Sequence, residues 1–282
     1  MLRSRADRRT LVYMAAATLV AAAQWGVDSF QPLLFCAAIA LACTVSQMHH
    51  NHQHQPLWKS AALNRATDLW FTLFQGHPGF VFGPSHRDNH HVHRNGALDY
   101  TRTWRGHDGN SLVGLIAHPA QFAAAIAPVL LRHLGALWRE QRGRFWEAVG
   151  HYAALSAVLA AAFCADPARA VLFVVLPQLC ALFVLLGSNY LQHAHTDERS
   201  RWSHSRNFLG LINPLCFNVG YHTAHHEDGD LHWSELPAAH ARIAGRIDAR
   251  LIEPGFFAYC LRVFVLGPFV PRWRSVPLRR TA

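Results

Sequence analysis

The sequence predicts an all-α integral membrane protein, with about four transmembrane helices in two hairpins and a helical cap on the cytosolic side. Three observations predict it. Half of the 282 residues are hydrophobic and only 15% are charged, the balance of a chain whose solvent is partly lipid. The charge-free runs come in two pairs, each pair joined by a short polar turn. The 21 histidines are more than packing needs, and many gather in three clusters that lie at or beyond the ends of those runs.

Taken in order, MLRSRADRR is a basic head, and residues 11–27 follow without a charge. The alanines at 21–23 make a cleaved signal peptide the alternative reading of this run. A second run, 33–47, begins directly after Asp28-Ser29-Phe30-Gln31-Pro32, so the two read as a hairpin that crosses the membrane and returns. Both are a little short of the roughly 20 residues a span needs, which places their polar flanks among the headgroups. Continuing the second run as helix puts His50 and His54 on one face, one turn apart. His49 and His52, at i and i+3, are the competing pair.

Residues 55–111 alternate polar and aromatic stretches, with Gly76, Pro78, Gly79, Gly83 and Pro84 as breakers. They hold the second cluster, His86, His90 and His91. Residues 112–131 are apolar but interrupted by His118-Pro119 and Pro128, and they lead into Arg132, Arg139, Arg142 and Arg144. Were this stretch a span, those arginines would lie opposite the basic N-terminus. The positive-inside rule therefore favours an amphipathic segment in the interface.

The second hairpin joins 149–164 to 170–190 through residues 165–169. Asn189 and His193 stand where it returns, ahead of His222, His225 and His226. Four spans place all three clusters on one side, as any even count between clusters does and an odd count does not. The cap is then 48–148 and 191–282, within a single domain, 1–282. The tail, 256–270, is apolar but broken by Arg262, Gly267 and Pro268, and is expected in the interface.

The net charge of +9 is carried by arginine, Lys59 being the only lysine. Because the arginines flank apolar runs, the anionic cytoplasmic leaflet explains them better than nucleic acid, and no nucleic-acid partner is expected. Six cysteines are scattered without a C-x-x-C and read as small hydrophobes.

Neutral imidazole suits iron and zinc. A structural zinc site takes four ligands, usually including cysteine. Nine clustered histidines are too many for one such site and enough for two metals with open positions. Asp88, Asn89, Asp197, Glu227 and Asp228 are candidate hydrogen-bond partners for the non-ligating ring nitrogens. His93, His195 and His232 neighbour the clusters and are candidates for the same role. His77, His107, His118, His133, His151, His204 and His240 read as surface or hydrogen-bonded histidines. Trp58, Trp70, Phe71, Phe74, Phe80 and Phe82 read equally as lining for an apolar tunnel or as packing.

His50-x3-His54, His86-x3-His90-His91 and His222-x2-His225-His226 resemble the three histidine boxes of the membrane fatty acid desaturase and hydroxylase superfamily. Asn189-Tyr190-Leu191-Gln192-His193 resembles the element ahead of the third box that supplies one more histidine and an asparagine. Tyr221 to Glu227 and His232 to Pro237 are similar to the bacterial fatty acid desaturase branch. The resemblance runs from the first hairpin to about residue 240. It implies a non-haem centre of two irons, held by His50, His54, His86, His90, His91, Asn189, His193, His222, His225 and His226, with no catalytic residue separate from these. From the residues alone Asn189 is either a water-mediated ligand or a helix cap, and the resemblance favours the metal.

The implied chemistry is O2-dependent removal of hydrogen from an unactivated C–H bond of a fatty acyl lipid, with desaturation as the leading outcome. Hydroxylation, or decarboxylation to a terminal alkene, is the alternative on the same scaffold. A histidine-rich metal transporter is the alternative of another class, but it would carry ionisable ligands within its spans, and these spans are nearly free of them. The chain has no iron–sulfur cysteine pattern and no nucleotide-binding glycine fingerprint. A separate ferredoxin, rubredoxin or cytochrome with its reductase is expected to deliver electrons. The expected location is a bacterial inner membrane, with the site and both termini cytosolic.

Overall fold

The computed structural model describes residues 1–106 and 109–278. Its helices are α1 (Arg8–Gly26), α2 (Pro32–His54), α3 (Ala61–Gln75), α4 (His91–His93), α5 (Leu112–Glu140), α6 (Arg142–Ala165), α7 (Pro167–Ala170), α8 (Leu176–His193), α9 (Ile212–Leu215), α10 (His222–Glu227), α11 (Leu236–Ile243) and α12 (Phe256–Cys260). Among the described residues the named strands are one parallel pair, β1 (Asn207–Phe208) and β2 (Ile252–Glu253), so the fold is all-α. The chain forms two compact units. The first is Met1–Pro84 with Val129–Leu185, and the second is Ser85–Pro128 with Leu186 onward.

Among the described residues four helices are long and apolar enough to cross a membrane: α2, α5, α6 and the run Pro167–His193 that contains α7 and α8. The count matches the expectation, but its membership differs. The sequence predicts a span at 11–27 and, from the arginines that follow it, an interfacial segment at the proline-interrupted 112–131. In the structure α5 continues through Pro119 and Pro128. A proline removes one backbone N–H and crowds the carbonyl one turn back, which kinks a helix without necessarily ending it. Conversely, α1 carries Arg8 and Arg9 in its first turn and a buried Gln24, and it is not among the four.

In the first unit, α1 and α2 form the expected hairpin, with Pro32 opening α2 where its missing N–H costs nothing. The turn between α6 and α7 meets the turn of this hairpin. The Arg169 guanidinium donates to the carbonyls of Trp25 (3.2 Å) and Asp28 (3.0 Å). α3 starts on Ser60, whose hydroxyl accepts from Leu63 N, and stops at Gly76, whose φ of +81° only glycine adopts without strain. The Gln178 side chain packs across Gly76 and donates to the Leu73 carbonyl at 2.7 Å. A carbonyl left over at the helix end is thereby satisfied.

The second unit is built on the last turns of α8. Tyr190, Leu191, Ala194, Phe208, Ile212, Tyr259, Val263 and Phe264 form its core. Arg206 is buried, lies over the Tyr259 ring, and donates to the carbonyls of Leu191 and Ala194. A cation there satisfies orphan carbonyls and opposes the negative end of the helix dipole. Gly220 fixes the approach to α10. Its carbonyl accepts from Phe208 N at 2.9 Å, and a Cβ at this position would lie 2.0 Å from the Phe208 oxygen.

Candidate metal centre

α2 extends to His54, so the first box lies on the same helix as the expected span. The His50 and His54 rings sit 4.8 Å apart, centroid to centroid. The competing pair is engaged elsewhere in the first unit. His49 stacks on Phe71 at 4.9 Å and its Nδ1 meets the Gln75 amide oxygen. His52 Nδ1 accepts from Leu57 N at 3.1 Å, and its Nε2 is 3.5 Å from Asp68. Both secure α2 against the α3 region. Burial pushes the Asp68 carboxyl up to about 6, with the Gln53 hydrogen bond opposing and Glu147 adding to the rise.

The second box lies on a π-helical segment, Gly83–His90, that runs into α4. A π turn closes on i+5 rather than i+4, and His86 Nε2 duly lies 3.1 Å from His91 Nε2. The segment ends at Arg94 and Asn95, both with positive φ. Asn95 then anchors the following loop: its Nδ2 donates to the His193 carbonyl at 2.9 Å and its Oδ1 accepts from Thr103 N at 2.8 Å. The third box forms α10, as the spacing predicts, with all three histidines buried.

Within the second unit, His90, His193, His222 and His226 converge, their potential ligand atoms lying within 4.8 Å of one another. His222 Nε2 is 2.9 Å from His193 Nε2 and 3.2 Å from His226 Nε2. His86, His91 and His225 lie alongside, with ring centroids 4.8 Å apart for His91–His225 and 4.4 Å for His91–His226. Asn189 is beside the four, its Nδ2 3.1 Å from His90 Nε2.

The far side of two rings is tied down. His90 Nδ1 donates to Asp99 at 2.7 Å, and His193 Nδ1 donates to the His204 carbonyl at 2.9 Å. Asp99 is fully buried and also accepts from Asn95 N, Thr101 N and the Thr101 hydroxyl. Burial alone raises its pKa, but the His90 imidazole and these hydrogen bonds outweigh it and hold the carboxyl below the ordinary carboxylate range. His226 is held well below the usual imidazole value, by burial first and then by His91, His222, His90 and His193. It is therefore neutral and offers a lone pair.

This arrangement fits a metal ion. With Nδ1 protonated on His90 and His193, their Nε2 atoms are bare lone pairs facing the same small volume. Lone pairs so placed repel one another unless a cation lies among them. Ligands at right angles around an ion, each at roughly 2.1 Å, sit about 3 Å apart, which is the spacing found. A set of neutral imidazoles without thiolate suits iron, zinc or copper.

Other sequence candidates resolve differently. Asn89 accepts from Tyr100 N and donates to the Leu98 carbonyl. Glu227 pairs with Arg201 at 2.9 Å and Arg94 at 3.7 Å. Asp197 and Asp228 accept from backbone N–H groups two residues on. The carboxylate that holds His90 is Asp99, which is not among the sequence candidates. It lies nine residues beyond His90, across a loop whose path no local pattern reveals. His204, read as a bystander, is buried, and its ring packs 5.2 Å from that of His226. Its own pKa is lowered to about 4 by burial and then by Arg94. His195 accepts from Asn110 N and contacts Ser275. His107 lies outside the described residues. In the first unit Phe71 and Phe82 pack on His49, and Trp70 stacks on Phe74.

No curated protein matches the chain. The profile of the family described as fatty acid desaturase matches residues 28–274, a stretch that contains all three boxes, Asn189 and His193. With that match over most of its length, the chain belongs to the fatty acid desaturase family.

Proposed function

We propose that the protein is a di-iron, O2-dependent oxidoreductase that removes hydrogen from an unactivated C–H bond of a fatty acyl chain, with desaturation as its outcome. The observation that carries this reading is the buried four-imidazole set of the second unit. We assign one iron to that set and, from the box pattern, two irons to His50, His54, His86, His90, His91, Asn189, His193, His222, His225 and His226 together. Bound iron would activate O2 and supply the oxidant that takes hydrogen from carbon. The chain's own contributions are positional. Asp99 and the His204 carbonyl fix the tautomer and orientation of His90 and His193. Burial keeps His226 neutral and excludes water from the oxidising volume. Two electrons come from a separate carrier of the ferredoxin, rubredoxin or cytochrome type with its reductase.

For topology, we propose two crossings in each hairpin, with the boxes and both termini cytosolic in a bacterial inner membrane. His90 precedes α5 and meets His193 at the end of α8, so an even number of α5, α6 and the α7–α8 run crosses. α5 holds two prolines and ends at the arginine-rich corner, and we place it along the interface despite its length. The contact of Arg169 with Trp25 and Asp28 supports a shared outer face for the two hairpin turns.

The test feeds deuterated fatty acids to cells expressing the chain with a reductase system, against a His222→Ala control. Loss of two deuteria from adjacent carbons at constant chain length is expected. A product of unchanged length that gains one oxygen from 18O2 would make this a hydroxylase, and loss of the carboxyl carbon with a terminal alkene would make it a decarboxylase.

A further inference from the structure

His118 lies in the first half of α5, in the second unit, and is 2% exposed. Among the described residues neither of its ring nitrogens makes a hydrogen bond of normal geometry. Buried polar atoms are nearly always paired, so an imidazole with both nitrogens bare in an apolar helix needs a reason. Its ring packs 5.4 Å from the ring of Tyr190. The Tyr190 hydroxyl is itself fixed, donating to the Gly109 carbonyl at 2.8 Å and accepting from Ser111 N at 3.2 Å. His118 is thus held in place, and the polar group it faces is the side chain of Asn189.

Asn189 has the complementary problem. Among the described residues its Oδ1 is buried and makes no hydrogen bond of normal geometry, while its Nδ2 lies 3.1 Å from His90 Nε2. That nitrogen is the lone pair His90 would give to a metal, because His90 Nδ1 donates to Asp99. An amide N–H aimed at it competes with the ion and turns two N–H dipoles toward a cation. The two ends of an amide are told apart by the bonds they make and exchange by a half-turn. After that half-turn the oxygen faces the ion, and the NH2 faces His118, an imidazole with a lone pair to receive it. A single rotation removes both mismatches.

We propose that His118 is a positioning residue for the metal centre: its ring nitrogen accepts from the Asn189 amide nitrogen and so turns the Asn189 oxygen toward the ion held by His90, His193, His222 and His226. This rests on the reading of those four residues as ligands. His118 does not touch the ion and acts only through Asn189.

The test uses the purified full chain in detergent, loaded with Co(II), with metal retention read against a competing chelator and the ligand field read from the visible absorption of bound Co(II). His118→Leu keeps the bulk and removes the acceptor. It is expected to weaken retention of one ion by roughly 10- to 100-fold and to shift the Co(II) spectrum. His118→Gln, which offers an amide oxygen to the Asn189 NH2, restores most of the retention and the wild-type spectrum, an outcome that a purely packing role would not produce. Asn189→Ala shows the same loss as His118→Leu, and the double variant is no worse than Asn189→Ala alone, because the two act as one unit. Wild-type retention in His118→Leu, or losses that add in the double variant, would overturn the proposal. His222→Ala separates the two levels: if it binds Co(II) like wild type, the ligand reading itself fails, whereas if it loses metal and His118→Leu does not, only the role of His118 fails.

Discussion

Replacing Asp99 by Asn tests the site at the point where the structure adds most to the sequence. The change preserves shape and removes charge. Asp99 accepts from four donors: His90 Nδ1 (2.7 Å), Asn95 N (2.7 Å), Thr101 N (2.7 Å) and the Thr101 hydroxyl (2.8 Å). Asparagine has one oxygen, so its NH2 must face donors whichever way it turns. If the NH2 faces His90, the ring is driven to the other tautomer and its Nε2 carries a proton where the metal needs a lone pair. If it faces Thr101, the turn that carries Asp99 loosens. A charge-assisted hydrogen bond contributes about 1.5–3 kcal/mol, and loss of a ligand's outer partner costs about 10- to 100-fold in metal affinity. The two agree, since tenfold is about 1.4 kcal/mol. The assay is metal per chain under chelator competition, with circular dichroism to show that helix content is kept. Affinity within about twofold of wild type, in protein of normal helix content, would refute the claim that Asp99 orients His90.

Three further outcomes follow from the geometry. Gly220→Ala puts a methyl group 2.0 Å from the Phe208 carbonyl oxygen. Overpacking of this kind costs about 1–3 kcal/mol or more, so thermal unfolding in detergent should shift down by roughly 3–10 °C, and an unchanged midpoint would show that β1 moves aside freely. Asp68 has its folded pKa raised to about 6, so its ionisation destabilises the fold as pH rises from the ordinary carboxylate value through 6. Asp68→Asn should therefore be more stable than wild type at about pH 8, by at most roughly 3 kcal/mol, and close to it near pH 4; equal stability at both would contradict the shift. For topology, in a cysteine-free background, Ser29→Cys should react with an impermeant maleimide applied outside whole cells, whereas Ser60→Cys and Ser200→Cys should react only after permeabilisation. The reverse pattern would invert the proposed orientation.

The sequence by itself determined the all-α fold, the apolar helices and the three boxes. These are local features: a charge-free run states its own solvent, and H-x-x-H-H states its own helix face. The helix face of the α10 cluster could be placed from spacing because three and four residues make a turn of α-helix, whereas spacing left His50 with His54 in competition with His49 and His52, which the structure engages elsewhere. What only the tertiary structure decided are the contacts that depend on loop paths and on departures from that turn. The π-helical geometry of Gly83–His90 pairs His86 with His91, where a regular helix would pair it with His90. Asp99 reaches His90 across a loop in which Arg94 and Asn95 adopt positive φ; asparagine tolerates that conformation, but arginine does not announce it. His204 orients His193 through a backbone carbonyl, a group every residue possesses and no sequence pattern marks. The persistence of α5 through two prolines was hidden for a related reason. A proline reports the one backbone hydrogen bond it removes, and whether the helix survives depends on the environment that packs around it.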